Sequence, residues 1–231
     1  MALLAKAFQA SRPDTQVTVV PGLGSSGGIK AVAAAALDIG LSGRPLKPAE
    51  HAQNLVEREL ARTPLVLAST SSHAGFTLGD IARIFDGTLR IWPDGSPLRP
   101  ILRPVTDAET ALLQAWSPEI QRALSMAHAR PGVHTAITDQ DSADAIERIP
   151  GAIGTSTLAL ILSEQRPIKA LPLQGVMPSV AALARGKYPY YKPLYLVTLP
   201  SPSETARAFI AFTRSKQGAK ILLDNGYLPL D

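Results

Sequence analysis

Two serines in a glycine-rich stretch are the side chains of this sequence best suited to hold a ligand. Ser25, Ser26 and Gly27 lie within Gly22–Gly28, and an alanine-rich helix is predicted to begin directly after that loop. The first turn of a helix has unpaired N–H groups and carries about half a positive elementary charge. Together with two hydroxyls, it favours phosphate, sulfate or a carboxylate. A capped helix without a ligand explains the same residues.

Asp38 is an acidic side chain predicted to lie near this region. The segment 38–40 is predicted to be a short strand after the helix, which would return the Asp38 carboxylate towards the glycine and serine loop. The spacing of Gly22, Gly24 and Gly27 also matches the GxGxxG pattern of dinucleotide-binding folds. That pattern requires an acidic residue about 20 residues further on. Asp38 is displaced from that position, so the pattern favours a small ligand over a nucleotide.

Composition excludes several classes of function. The chain has 231 residues, 45% of them hydrophobic, a formal net charge of +4 and no cysteine, so a packed core is expected and disulfides and thiolate metal sites are impossible. No basic run indicates nucleic acid, and no apolar run reaches the roughly 18 residues of a membrane span. The four histidines, at 51, 73, 128 and 134, have no metal-ligand spacing, and no GxSxG or P-loop lysine motif is present. We therefore expect no cofactor, no metal and no enzymatic activity.

Alternating helix and strand patterns predict an α/β fold. Local signals include a capping box at Thr77 and Asp80 and a helix stop at Asp86–Gly87. Beyond the helix that follows the glycine and serine loop, the predicted helices are 2–10, 48–62, 77–85, 107–127, 138–148, 156–164, 178–185 and one or two within 203–225. The predicted strands are 16–20, 38–40, 64–68, 98–105, 133–137, 151–154, 168–173 and 191–199.

Six segments resemble a known family when they are taken in order. They are GSSGGIKA, DIGLSGRPL, LGDIARIFDGTLRIW, IPGAIGTSTL, YPYYKPLYLV and FIAFTRSKQGAKILLDNGYLPL. The order resembles the phosphate-binding, substrate-capturing component of bacterial ABC transporters. The resemblance implies the type II periplasmic-binding-protein fold, in which two α/β lobes are joined by two crossovers and the ligand lies between them. Lobe one would be residues 1–68 plus 174–231 and lobe two 69–173, with the crossovers at 69–75 and 171–175.

The same resemblance implies a function. It implies a periplasmic, monomeric protein that captures a small polar, anionic solute such as phosphate and delivers it to the membrane subunits of an ABC transporter, without catalysing a reaction. The alternative is a sensory or regulatory domain of the same fold that signals to a partner protein.

Ligand contacts are also implied by the resemblance. Ser25, Ser26 and Gly27 would donate to the ligand oxygens, Asp38 would accept from a protonated oxygen, and Arg103 would add a charged fork.

The sequence departs from the family pattern after Arg103. Where the family has Ser-Gly-Thr, this chain has Asp107, Ala108 and Glu109, followed by Thr110. If Asp107, Glu109 and Thr110 line the site, each carboxylate 4 Å from an anion would cost about 4 kcal/mol at an effective dielectric constant of 20. Phosphate would then bind weakly, and a protonated oxyanion or a ligand with an amine or a chelated cation would be preferred. Alternatively, the two carboxylates only cap the following helix.

A second departure lies at the N-terminus. Members of the family have a signal peptide, a first strand and a hydroxyl-bearing loop before the helix that here begins near Ala2. We expect the chain to be truncated and its precursor to carry an export signal.

Overall fold

The computed structural model describes residues 1–71, 73 and 75–230. The helices of this part of the chain are α1 Ala2–Ser11, α2 Gly24–Ala33, α3 Pro48–His51, α4 Leu78–Asp86, α5 Ala108–Gln114, α6 Pro118–Ala129, α7 Asp139–Arg148, α8 Leu158–Ser163, α9 Val180–Ala184, α10 Glu204–Thr213 and α11 Lys216–Asp224. Its strands are β1 Gly40–Ser42, β2 Val56–Ser69, β3 Arg99–Leu102, β4 His134–Thr135, β5 Ala152–Thr157, β6 Lys169–Ala170, β7 Tyr191–Thr198 and β8 Leu228–Pro229. The predicted α/β class is confirmed.

The chain divides into two compact units. Unit 1 comprises Met1–Arg62 and Pro193–Asp231, and unit 2 comprises Thr63–Lys192. The chain therefore passes from one unit to the other twice, once within β2 and once within β7. The units change at 62/63 and at 192/193. The first predicted lobe boundary, at 68/69, lies six residues later in the chain than the first of these, and the second predicted boundary, at 173/174, lies 19 residues earlier than the second. The predicted connector 69–75 includes Ser72 and Ala74, which lie outside the described residues.

Unit 1 is a small sheet covered by helices. Its strand β1 is antiparallel to β7, with Leu41 opposite Leu196, and β8 is antiparallel to the first half of β2, with Ala61 opposite Pro229. Burying apolar side chains between helices and sheet stabilises the unit by about 25 cal/mol per Å². The two buried clusters are Leu4, Ala5, Phe8, Leu60, Ala61, Leu196, Phe209 and Leu222, and Ile29, Val32, Leu46, Leu55 and Val197.

Unit 2 has helices on both faces of its sheet. The strand β5 pairs in parallel with β3 and antiparallel with β2, and β4 pairs in parallel with β3. Successive strand residues point to opposite faces. Thus Ile101 packs in the cluster of α7 and α8, whereas Leu102 packs in the cluster of α4 and α6. Because β3 and β4 are parallel, their carboxyl ends and the helices that follow them meet at one edge.

Two local signals predicted helix ends correctly. The Thr77 hydroxyl accepts a hydrogen bond from the Asp80 N–H, Asp80 accepts one from the Thr77 N–H, and Gly87 ends α4 in the left-handed conformation at φ 83°. In contrast, the single helix predicted over 107–127 is two helices, α5 and α6. Ser117 caps α6, and Pro118 occupies its first position, where the missing N–H of proline costs nothing.

Two predicted elements are wrong. Residues 16–20 form no strand, and Val19 and Val20 remain exposed, since β-branched residues favour a strand only where a neighbour pairs with it. The helix predicted over 48–62 ends at His51, and β2 begins at Val56. Helix propensity differs by only a few tenths of a kcal/mol per residue, and strand pairing together with burial of Leu60 outweighs it.

No helix of the described chain is both long enough and apolar enough to cross a bilayer.

Candidate functional site

The predicted glycine and serine loop is part of a helix in unit 1. Helix α2 begins at Gly24, so Ser25, Ser26 and Gly27 lie in its first turn, and Gly22 and Gly24 adopt positive φ values of 77° and 62°. The prediction of an open loop before the helix is therefore wrong. The prediction of hydroxyls at a helix N-terminus is correct.

Both serine hydroxyls accept hydrogen bonds from the two residues that follow β1. The Ser25 hydroxyl accepts a hydrogen bond from the Gly43 N–H at 2.9 Å. The Ser26 hydroxyl accepts one from Nη2 of Arg44 at 3.1 Å. A hydroxyl that accepts still has its own proton to donate. The end of α2 thus combines N–H groups, two available hydroxyl protons and one guanidinium.

Arg44 was not identified from the sequence, although it lies beside the predicted loop residues. Its Nη1 and Nη2 donate to the two carboxylate oxygens of Glu50 at 2.7 and 2.8 Å. This pairing raises the pKa of Arg44, and the hydrogen bond from Arg44, opposed by burial, lowers the pKa of Glu50 to about 2. A guanidinium near a positive helix end is unfavourable unless an anion neutralises it, and Glu50 has that role.

The pair predicts a specific acid sensitivity. Glu50 has a depressed pKa in the folded state, so its contribution to stability is present above its unfolded pKa of about 4.5 and is lost as the pH falls through about 2. Between pH 6 and pH 3 the protein should lose on the order of 1 kcal/mol more free energy of unfolding than a Glu50→Gln variant, after allowance for solvent screening. Urea unfolding at both pH values measures the difference. An equal loss in both proteins would contradict the prediction.

Asp38 lies at the other end of β1. It is exposed, and its Oδ1 accepts a hydrogen bond from the Ser203 hydroxyl at 3.2 Å, at the N-cap of α10. Because an extended chain advances about 3.3 Å per residue, the five steps from Asp38 to Gly43 span up to about 16 Å. The structure therefore does not bring Asp38 to Ser25 and Ser26. The prediction failed because β1 begins only at Gly40 and runs away from Asp38.

Arg103 follows β3 in unit 2 and is 5% exposed. Its Nη1 donates to the carbonyl of Ala136 at 3.1 Å, and its Nη2 donates to Asp107 and Asp139, both at 3.0 Å. Its Nε has no hydrogen-bond partner among the described residues. The nearest carboxylate oxygen with which this Nε forms an ion pair is Oε2 of Glu109, at 3.9 Å. The guanidinium is therefore already held by carboxylates of the protein.

Asp107 caps the following helix, which is one of the two roles that the sequence presented as alternatives. One carboxylate oxygen accepts from the Glu109 N–H at 2.9 Å and caps α5, and the other accepts from Arg103. Thr110 was also predicted to be a ligand residue, but its hydroxyl is buried and donates to the carbonyls of Pro104 and Arg103. Its observed contacts tie α5 to the end of β3.

Glu109 is buried with 1% exposure and has three polar partners. It accepts hydrogen bonds from Lys192 at 2.8 Å and from the Thr155 hydroxyl at 3.0 Å, and Arg103 lies nearby. Burial raises the pKa of Glu109 above the ordinary value, although Lys192 opposes the shift. A buried carboxylate is tolerated only with such partners.

Asp139 and Lys192 complete the group and were not predicted. Lys192 Nζ donates to Asp139 at 2.7 Å as well as to Glu109, and these two carboxylates raise its pKa. Burial alone would raise the pKa of Asp139, but Lys192 and Arg103 outweigh it and the pKa is lowered. Sequence signals existed: Asp139 directly follows the cap residue Thr138, and Lys192 is the one charged residue in YPYYKPLYLV.

We call these five residues the Arg103 cluster: Arg103, Asp107, Glu109, Asp139 and Lys192. Within the described residues, no group of three or more histidine and carboxylate side chains could hold a metal ion. Each carboxylate of the cluster is instead bonded to arginine or lysine. The guanidinium and the ammonium of the cluster are groups that bind oxyanions. In this structure both groups bind the carboxylates of the cluster.

Comparison with known proteins identifies relatives. Residues 1–217 match the family model described as a PBP superfamily domain. The phosphate-binding protein PstS of Bacillus subtilis is 26% identical over an alignment of 238 residues, which covers 98% of this chain and 75% of that protein. A phosphate-binding protein PstS 2 of Streptococcus pneumoniae is 30% identical over 97 residues, which cover 41% of this chain and 32% of that protein.

Solved structures show the same fold. A Clostridium perfringens protein assigned as a phosphate ABC transporter substrate-binding protein, solved with bound phosphate, has a TM-score of 0.83 at 20% identity, covering 100% of this chain and 94% of that one. An ABC-type phosphate transport receptor from Vibrio cholerae has a TM-score of 0.68 at 20% identity, covering 99% and 94%. The predicted type II periplasmic-binding-protein fold is thereby confirmed.

Proposed function

Because the chain belongs to the PBP superfamily, we propose that it is a solute-binding protein that captures phosphate, or a small oxyanion of the same kind, for an ABC transporter. Its relatives are named as phosphate-binding proteins, and none of those named is an enzyme. The observation that carries the proposal is the buried guanidinium of Arg103 at the carboxyl end of β3. A planar fork of N–H donors matches the oxygens of phosphate.

Each unit, taken by itself, contains one element that attracts anions. In unit 1 this is the first turn of α2, where Ser25, Ser26 and Gly27 offer hydroxyl and N–H donors. Arg44 adds a positive charge at this end. In unit 2 it is Arg103. Asp38 does not belong to the element of unit 1, since its carboxylate accepts a hydrogen bond from Ser203.

Glu109 and Thr110 form hydrogen bonds that stabilise the surroundings of Arg103. Glu109 accepts from Lys192 and Thr155, and Thr110 donates to backbone carbonyls, so neither side chain has a proton left to donate to an oxyanion. Asp107 and Asp139 are more accessible, with 24% and 34% of their side chains exposed. We assign these two aspartates to the rim around Arg103.

The partners follow from the same function. A carrier of this kind delivers its solute to the membrane subunits of an ABC transporter, and it works on the outer side of the cytoplasmic membrane. One structural neighbour, with a TM-score of 0.70, is a periplasmic phosphate-binding protein solved with phosphate. A monomer remains our prediction for the oligomeric state.

Calorimetric titration with phosphate at pH 6 tests the proposal. The unmodified chain should bind phosphate, and Arg103→Gln should weaken binding about tenfold to hundredfold, because one charged hydrogen bond contributes about 1.5–3 kcal/mol. Arg103→Lys, which keeps the charge but not the fork, should fall between the two.

The control is Arg99→Gln on the same strand. Arg99 is exposed and begins β3, whereas Arg103 follows its end, so its loss should leave the affinity unchanged. Circular dichroism before each titration establishes that the variants are folded. Equal affinity of the unmodified chain and Arg103→Gln would refute the role of Arg103, and no phosphate binding between pH 5 and pH 8 would refute the function.

A further inference from the structure

The Arg103 cluster has more negative than positive groups. Two cations, Arg103 and Lys192, face three carboxylates, so the cluster has a formal charge of −1 when all five side chains are ionised. Such a charge repels a phosphate ion rather than attracting it.

The most accessible side chains of the cluster are two carboxylates, and Lys192 is less exposed at 16%. Arg103 and Glu109 are almost completely buried, whereas the side chains of Asp107 and Asp139 are 24% and 34% exposed. A solute that approaches from solvent therefore meets two carboxylates before it meets the guanidinium.

Most N–H donors of Arg103 already have partners or lie in confined space. Its Nη2 has two N–H groups, and two aspartates accept from that nitrogen. Its Nε is unpartnered among the described residues, but the adjoining cavity, lined by Arg103, Glu109, Thr110 and Thr155, has a volume of about 10 Å³. That volume holds about one water molecule and no oxyanion. Nη1 also has two N–H groups, of which one donates to the carbonyl of Ala136. At Nη2, which bonds to both aspartates, an oxyanion can bind only in place of a carboxylate.

We infer that Asp107 and Asp139 are internal counter-ions of Arg103 which a bound oxyanion replaces, and that the cluster takes up one proton from solvent when the oxyanion binds. This inference rests on the proposed function. It makes the two aspartates specificity-determining residues. An oxyanion that is itself protonated brings the required proton with it, so the protein does not have to take one up from solvent.

The geometry identifies the acceptor of the proton. Lys192 is shared by Glu109 and Asp139, which lie on α5 and α7, so a carboxylate that loses Arg103 must compete for one ammonium. The other charged group close to Arg103 is Asp141 on α7, which is exposed and bonded to Thr138. Burial raises the pKa of Glu109 already in the free protein. The proton is thus placed on the pair of Glu109 and Asp139.

The test is calorimetric titration with phosphate between pH 5.5 and pH 8, in buffers that differ in ionisation enthalpy. The number of protons taken up per bound phosphate is compared between the unmodified chain and Asp139→Asn or Asp107→Asn. Protonation of phosphate itself contributes equally to all proteins and cancels in the difference. The unmodified chain should take up about one proton more than Asp139→Asn, and its dissociation constant should rise up to tenfold more per pH unit.

At pH 7.5 both variants should bind phosphate about tenfold more tightly than the unmodified chain, since each removes one charge from the rim. Asp107→Asn keeps the cap of α5, because asparagine caps helices as well as aspartate. The control is Asp141→Asn, which lies in the first turn of α7 outside the cluster and keeps its oxygen acceptor for Thr138. It should behave as the unmodified chain.

Equal proton uptake in the unmodified chain and Asp139→Asn, with phosphate bound by both, would overturn the inference and leave the proposed function intact. Absence of phosphate binding by the unmodified chain and by both variants at every pH would overturn both.

Discussion

Replacement of Lys192 by methionine should lower the free energy of unfolding of unit 2 by about 3–5 kcal/mol, the cost of leaving a buried charge without its partner. Lys192 donates to both Glu109 and Asp139, and Glu109 is 1% exposed. Methionine fills a similar volume but removes the ammonium. The variant can lessen the loss only by protonating Glu109.

That protonation gives the prediction a pH signature. Without Lys192 the folded-state pKa of Glu109 rises further, so the variant loses stability as the pH rises above the unfolded value of about 4.5. The loss should therefore be larger at pH 8 than at pH 5. Urea unfolding followed by tryptophan fluorescence measures this loss of stability in unit 2, because Trp92 and Trp116 both lie there.

Two further variants decide whether the buried charge is the cause. Lys187→Met removes an exposed lysine of the same unit and should change stability by less than about 0.5 kcal/mol. Adding Glu109→Gln to Lys192→Met should recover a large part of the loss, since glutamine keeps the oxygen that accepts from Thr155. If the double variant is as unstable as Lys192→Met alone, lost packing and not an unpaired charge explains the effect.

Replacement of Gly151 by alanine should destabilise unit 2 by about 4 kcal/mol or more, or prevent its folding. Gly151 has φ 74°, and an added Cβ would lie 1.9 Å from the backbone oxygen of Pro97. No rotation of a methyl group relieves a contact with backbone, so Gly151 and Pro97 would have to move apart. The Gly151 carbonyl accepts hydrogen bonds from the Arg99 N–H and from the Trp92 indole N–H. A shift of Gly151 would break these two bonds as well.

Gly132→Ala is the matched control. Gly132 has φ 79°, almost the same backbone conformation, but nothing lies within 4 Å of its added Cβ. It should cost only the 1–2 kcal/mol or so of a non-glycine residue in the left-handed region. Urea unfolding of the two variants separates backbone strain from steric overlap. Similar losses for Gly151→Ala and Gly132→Ala would contradict the described approach of Gly151 to Pro97.

The sequence by itself determined the features that depend on neighbours along the chain. Thr77 with Asp80 predicted the start of α4, and Gly87 predicted its end, because capping bonds join residues at most a few positions apart. The order of six segments predicted the family and the fold. Ser25 and Ser26 were correctly placed at a helix N-terminus, and Arg103 at the end of a strand.

Only the tertiary structure decided what surrounds these residues. Lys192 and Asp139 are 53 positions apart, and Thr155 and Glu109 are 46 apart, so no local pattern relates them. The same limit applies to strands: residues 48–62 have the helix propensity of their charged side chains, yet pairing and burial in the sheet determine that β2 begins at Val56. The sequence predicted Asp107 as a possible cap of α5, but its bond to Arg103 depends on where the end of β3 lies in space. Helix ends and capping bonds can be predicted from neighbours in the chain, because they join residues a few positions apart. The charge partners of a side chain cannot, because they lie on strands and helices that meet only after folding.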